Sequence, residues 1–261
     1  LQIMEHCCEG EFAVLATSID KMVQRMLEQQ SILQKEKVFL ADSMADISHQ
    51  MKTPLTSISL LLNLLQEEHL SEKKRLQYVQ DLMKLTGRID WMVYALLRLA
   101  KLDAGTVQLQ QVPYQIEDLI KAAVTPLEIA LDIRDITLEV QMQPDLQHRG
   151  DISWMTEAVS NILKNCMEHT PSGGHIRIVT KDNPLYLLIK ITDSGSGFTK
   201  QDLPHIFERF YRGQNADTDS VGIGLALAKR IIIAQNGTIR AYNHKKDGGA
   251  VFEIRMYKGA V

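Results

Sequence analysis

His49 stands in the run Ser48-His49-Gln50-Met51-Lys52-Thr53-Pro54, and a neutral imidazole offers a ring-nitrogen lone pair for in-line attack on an electrophile. Far along the chain, four polar clusters have the chemistry of a nucleotide site. Asn161 and Asn165, four apart and so on one helix face, precede His169-Thr170-Pro171-Ser172-Gly173-Gly174. An amide oxygen such as that of Asn165 can complete a Mg²⁺ shell already supplied with phosphate charge; two such residues on a helix can equally be solvent-facing. Asp193-Ser194-Gly195-Ser196-Gly197 follows a strand pattern. Its carboxylate can accept from an exocyclic amine such as that of adenine, or close an Asx turn. Gly222-Ile223-Gly224-Leu225 opens a helix, whose free N–H groups favour phosphate.

Between the two glycine clusters lies Phe207-Glu208-Arg209-Phe210-Tyr211-Arg212, followed by the polar residues 214–220. Aromatics at this spacing are core, or they anchor a mobile lid from which Arg209 and Arg212 reach phosphates.

The elements that must position these groups follow from periodicity. Ile19, Met26, Leu33, Leu40 and Ile47 repeat every seven residues, as do Met44, Met51, Ile58 and Leu65 on a second track. Such tracks make a coiled-coil-like seam. With Ile47 at d and Met51 at a, His49 falls at f, farthest from the seam. One continuous helix is expected from about Phe12 to about His69, loosened by Pro54. Ser71 caps a second helix with a seam of Leu82, Leu85, Ile89, Met92, Leu96 and Leu99, ended by Gly105. Two such hairpins from two chains would form a four-helix bundle, so a homodimer is expected.

Beyond residue 105 the pattern becomes mixed. Strands are expected at residues 106–112, 136–142, 175–180, 186–192, 238–243 and 250–256, and helices at 116–133, 153–169 and 221–235. The fold class expected is multidomain α and α+β, a helical hairpin forming the bundle and then an α/β two-layer sandwich. The domains are a signalling helix or connector remnant at 1–37, the hairpin at 38–105 and the sandwich at 106–261.

Composition excludes several classes. A net charge of −3 from 29 Lys+Arg and 32 Asp+Glu gives no footprint for nucleic acid. Cys7, Cys8 and Cys166 have no metal-ligand or disulfide spacing, as in a reducing compartment. No apolar run is long enough to span a bilayer.

Together the His49 box, Asn161/Asn165, Asp193/Gly195/Gly197, Phe207/Phe210 and Gly222/Gly224 resemble, in order and spacing, the transmitter region of sensor histidine kinases, over about residues 38–256. Residues 10–15 resemble the end of the HAMP connector. The resemblance implies a dimerisation and phosphotransfer domain and a Bergerat-type ATP-binding domain. It further implies ATP and Mg²⁺ as cofactors, autophosphorylation of His49, and transfer to an aspartate of a response regulator receiver domain. The parent would be membrane-anchored upstream of residue 1, with this portion cytoplasmic.

Three positions depart from the family pattern. Gln50 replaces the acidic residue after the histidine, and a carboxamide cannot take a proton near neutrality; Gln50 would orient the ring while Asp46, three residues earlier, or water serves as base. Glu168 replaces a basic residue beside the phosphates, for which Lys164 would substitute. Ala250 stands where relatives often have Thr. Thr53 matches the family residue that orients water for dephosphorylating the regulator, a second and opposing activity. The rival expectations are an ATPase of the same fold and a kinase-inactive dimeric scaffold.

Overall fold

The computed structural model describes residues 11–67, 70–213, 221–244 and 248–258, so Cys7, Cys8, Gly10, His69, the polar run 214–220 and Asp247 lie outside the described residues. The chain divides into two compact units, residues 1–75 and 76–261.

In the first unit, helix α1 (Glu11–Leu65) is unbroken for 55 residues with Pro54 inside it. Small polar side chains near the proline bond back to the preceding turn: Ser48 Oγ to the Met44 carbonyl at 2.8 Å and Thr56 Oγ1 to the Lys52 carbonyl at 2.9 Å. Such back-bonds occupy carbonyls without adding a ladder bond. Both seven-residue tracks have exposed members in the single chain, Met26 at 67% on the first and Met44 at 62% on the second. An apolar stripe of this kind requires a covering surface.

Helix α2 (Glu72–Asp103) lies almost wholly in the second unit and buries Met92, Ala95, Leu99 and Leu102. It stops as the sequence predicts. Gly105 is left-handed at φ 62°, and the N–H groups of Thr106 and Gly105 donate to the carbonyls of Lys101 and Leu102, the paired bonds of a Schellman ending.

The rest of the unit is a five-stranded mixed sheet, ordered β2-β4-β5-β7-β6, from β2 (Thr137–Gln141), β4 (His175–Asp182), β5 (Tyr186–Asp193), β6 (Gly237–Asn243) and β7 (Ala250–Tyr257). Only β2 and β4 are parallel. Helix α5 (Ile152–His169) packs on α3 (Ile116–Val124), on α6 (Gly224–Ala234) and on β5, while α6 packs on β6. Leu187, Ile189 and Ile191 of β5 are fully buried while the residues between them are only half-buried, as the period of two demands when one face is covered. This is the expected two-layer sandwich.

Four local expectations are corrected. Residues 106–111 form no strand, because the Gln110 N–H donates to the Asp151 carboxylate at 3.2 Å; β1 is only Val112–Gln115. Its antiparallel partner β3 (Gln147–Gly150), of sequence QHRG, carries no apolar alternation and was not anticipated. The helix at 116–133 is interrupted by a 3-10 turn at Thr125–Leu127, then resumes as α4 (Glu128–Ile133), since Pro126 offers no N–H to an α-ladder. Helix α6 begins at Gly224 rather than 221, because Gly222 is left-handed at φ 74°.

Candidate functional site

Asp193 ends β5 in the inward phase of its strand, so its carboxylate enters the covered face and is 2% exposed. Its Oδ1 accepts from the N–H of Gly195 at 2.9 Å and of Ala250 at 3.0 Å. Its Oδ2 is buried with no hydrogen-bond partner among the described residues. A buried carboxylate oxygen left in this state is costly unless a ligand donates to it. Beside it lies Cys166, whose thiol is pushed well above its ordinary pKa by burial and then by the Asp193 carboxylate.

Around Asp193 opens a cavity of about 410 Å³. Helix α5, capped by Asp151 through the N–H groups of Ser153 and Trp154, brings Asn161, Lys164, Asn165, Glu168 and His169 to one wall. The glycine segments contribute Gly197, Gly222, Gly224 and Leu225, and Arg212 and Ala250 also line the space. A Cβ on Gly224 would meet Asn161 Oδ1 at 3.3 Å, so this glycine lets the start of α6 approach the asparagine.

Gly195, Phe207 and Arg209 stand outside this lining. The glycine after Asp193 serves the protein's own backbone: a Cβ on Gly195 would lie 2.4 Å from the His169 carbonyl. Phe207 packs edge-on against the buried Phe252, with Lys229 over its ring at 5.3 Å. Arg209 pairs with Asp103 at the end of α2, which also holds Arg230 at 2.7 Å. Phe210 is left-handed at φ 62° and its N–H donates to the Gly222 carbonyl at 2.9 Å. That bond joins two described stretches of chain, Phe210 to Gly222.

Two sets of lining residues escaped the sequence reading. The Asp202 carboxylate accepts from the Tyr211 hydroxyl at 2.7 Å and from the Thr199 hydroxyl at 2.8 Å; the two bonds hold the Asp202 carboxyl below its ordinary pKa, and the first raises that of Tyr211. Lys84, Leu85, Gly87, Arg88 and Trp91 of α2 form a further wall, joined to α5 by Lys164 over the Trp91 ring at 5.4 Å. Their three- and four-residue spacing was the available signal.

His49 is exposed on α1, with Asp46 and Thr53 exposed and Gln50 half-buried. Asp46 shares a helix face with His49. The Thr53 hydroxyl lies 3.5 Å from the His49 carbonyl, a contact too long to hold it strongly.

A nucleotide fits this cavity: an orphaned carboxylate oxygen for an exocyclic amine, a helix opening at Gly224 for phosphate, and asparagine amides beside it. The class of protein is defined by two family matches. Residues 150–259 match the model described as histidine kinase-, DNA gyrase B-, and HSP90-like ATPase, and residues 40–105 match the His Kinase A (phospho-acceptor) domain. Together the two matches make the chain a histidine kinase transmitter region. It is 29% identical over 250 residues to the heme sensor protein HssS of Staphylococcus saprophyticus, covering 96% of this chain and 52% of that protein. To the sensor protein SphS of Synechococcus elongatus it is 32% identical over 225 residues, covering 81% and 53%. The chain thus spans about half the length of the curated relatives it matches. Among solved structures, histidine kinase ThkA in complex with response regulator protein TrrA shares the fold, with a TM-score of 0.70 at 18% identity over 86% of this chain and 64% of that one.

Proposed function

We propose that this chain binds ATP in the Asp193 cavity, transfers the γ-phosphoryl group to His49, and passes it to an aspartate of a response regulator receiver domain. The observation that carries the reading is the Asp193 carboxylate, whose Oδ1 is held by two backbone N–H groups while Oδ2 is left for an adenine amine. In the transfer a His49 ring nitrogen forms the N–P bond as the bond to the leaving ADP oxygen breaks. Such chemistry asks of the protein mainly positioning and charge neutralisation. Asn165 is the residue to hold Mg²⁺, which would neutralise phosphate charge. Gln50 orients the imidazole, and Asp46 or water accepts its proton. Thr53 serves the opposing dephosphorylation of the regulator.

Residues 38–105 act as the dimerisation and phosphotransfer domain, residues 106–261 as the ATP-binding domain, and residues 1–37 as the connector through which a signal arrives. The chain works as a homodimer, in the cytoplasmic portion of a membrane sensor; no helix among the described residues is long and apolar enough to cross a membrane. Incubation with γ-labelled ATP tests the reading. Acid-labile label on the wild type that is absent from His49→Gln supports it. Free phosphate without protein label indicates an ATPase, and neither product indicates a scaffold; both contradict it.

A further inference from the structure

The cavity wall contributed by α2 belongs to no motif of the nucleotide-binding half. Lys84, Gly87, Arg88 and Trp91 are spaced by three and four residues, so they form one stripe of the helix, and all four line the cavity. Trp91 faces Lys164 of α5 across 5.4 Å, which sets the stripe beside the wall that carries Asn161 and Asn165. Glu168 lies on that same wall, where its negative charge opposes a polyphosphate. Lys84 and Arg88 bring two positive charges to it. Gly87 sits in the interior of α2, where glycine is unfavourable, and an added Cβ there would meet no atom within 4 Å. Neither backbone conformation nor packing calls for that glycine, whereas a ligand passing the helix would.

We infer that α2 supplies the phosphate-facing wall of the nucleotide site, with Arg88 and Lys84 contacting the triphosphate that Asp193 orients from its adenine end. The inference rests on the reading of the cavity as an ATP site. Arginine suits the role because its planar fork can take two phosphate oxygens at once, and Lys84, one turn earlier, adds a point charge. Nucleotide binding is then coupled to the second helix of the phosphotransfer hairpin, and the charge missing at Glu168 is restored from another element.

The test compares ATP with AMP, which lacks the two outer phosphates, by titration calorimetry on the full chain at fixed salt. Arg88→Ala should weaken ATP by about tenfold or more, the scale of a lost charge-assisted contact, while leaving AMP unchanged. Lys84→Ala should weaken ATP less, and Arg88→Lys should fall between Arg88→Ala and the wild type. Equal ATP affinity in Arg88→Ala, a higher one, or parallel losses for ATP and AMP would overturn the inference while leaving the ATP site standing. A wild-type chain that binds neither nucleotide would overturn the site itself, and the inference with it.

Discussion

At the scale of single residues, the account turns on which atoms have partners. Asp193 shows this most sharply, because its two oxygens differ: one is saturated by the backbone and the other is not. Asp193→Asn keeps the shape and can keep the acceptor facing Gly195 and Ala250, but sets an amide donor where a ligand amine must donate. Nucleotide affinity should drop by about tenfold or more, with thermal stability little changed; unchanged affinity would remove adenine from this position. That Asp193, Asn161, Asn165, Gly222 and Gly224 would share one cavity was legible in the sequence because type and spacing together limit what they can do. The place of Arg209 was not. A cation near a glycine run looks the same in sequence whether it meets a ligand or, as here, Asp103 at the far end of α2.

At the scale of elements, periodicity carried most of the fold and failed where side chains gave no alternation. The β1–β3 ribbon is the clear case, built from VPYQ and QHRG. Within it His148 is 9% exposed and meets the edge of the Tyr114 ring at 6.0 Å. Burial, and then repulsion from Lys258, lowers its pKa below the ordinary 6.5. The unfolded chain therefore takes up this proton before the folded one does, and stability should fall as pH drops below about 6.5 toward the lowered value, then level. Denaturant unfolding at stepped pH should show a smaller acid loss in His148→Phe than in the wild type; an identical slope would assign the loss to other groups. Helix α2 offers a second measurement. Because Gly87 is helical, with open space before it, Gly87→Ala should raise unfolding free energy by about 0.5–1 kcal/mol. A loss of stability would mean that the position is packed in solution.

At the scale of the whole molecule, the sequence already implied a second copy. The heptad tracks of α1 remain exposed, one along Ile19, Met26 and Leu33 and the other at Met44, and apolar stripes of that length are covered in solution. Light scattering at micromolar concentration should report a dimer, and Met26→Glu with Leu33→Glu should shift it toward monomer. A wild-type monomer would leave the stripe unexplained. The coiled-coil period and the Pro54 position were readable from one chain because both are local. The cavity wall of α2 was not, since it depends on how that helix meets α5, far along the chain.

The claim on which the account depends is that His49 receives the phosphoryl group from ATP bound at Asp193. The most direct measurement is site mapping of phosphate by mass spectrometry at neutral to alkaline pH after incubation with Mg·ATP. It predicts phosphohistidine at His49 in the wild type, and at least about fivefold less in Asp193→Asn at an ATP concentration that half-saturates the wild type. Phosphate on another residue, or an unmodified His49 in a chain that has bound and turned over ATP, would contradict it.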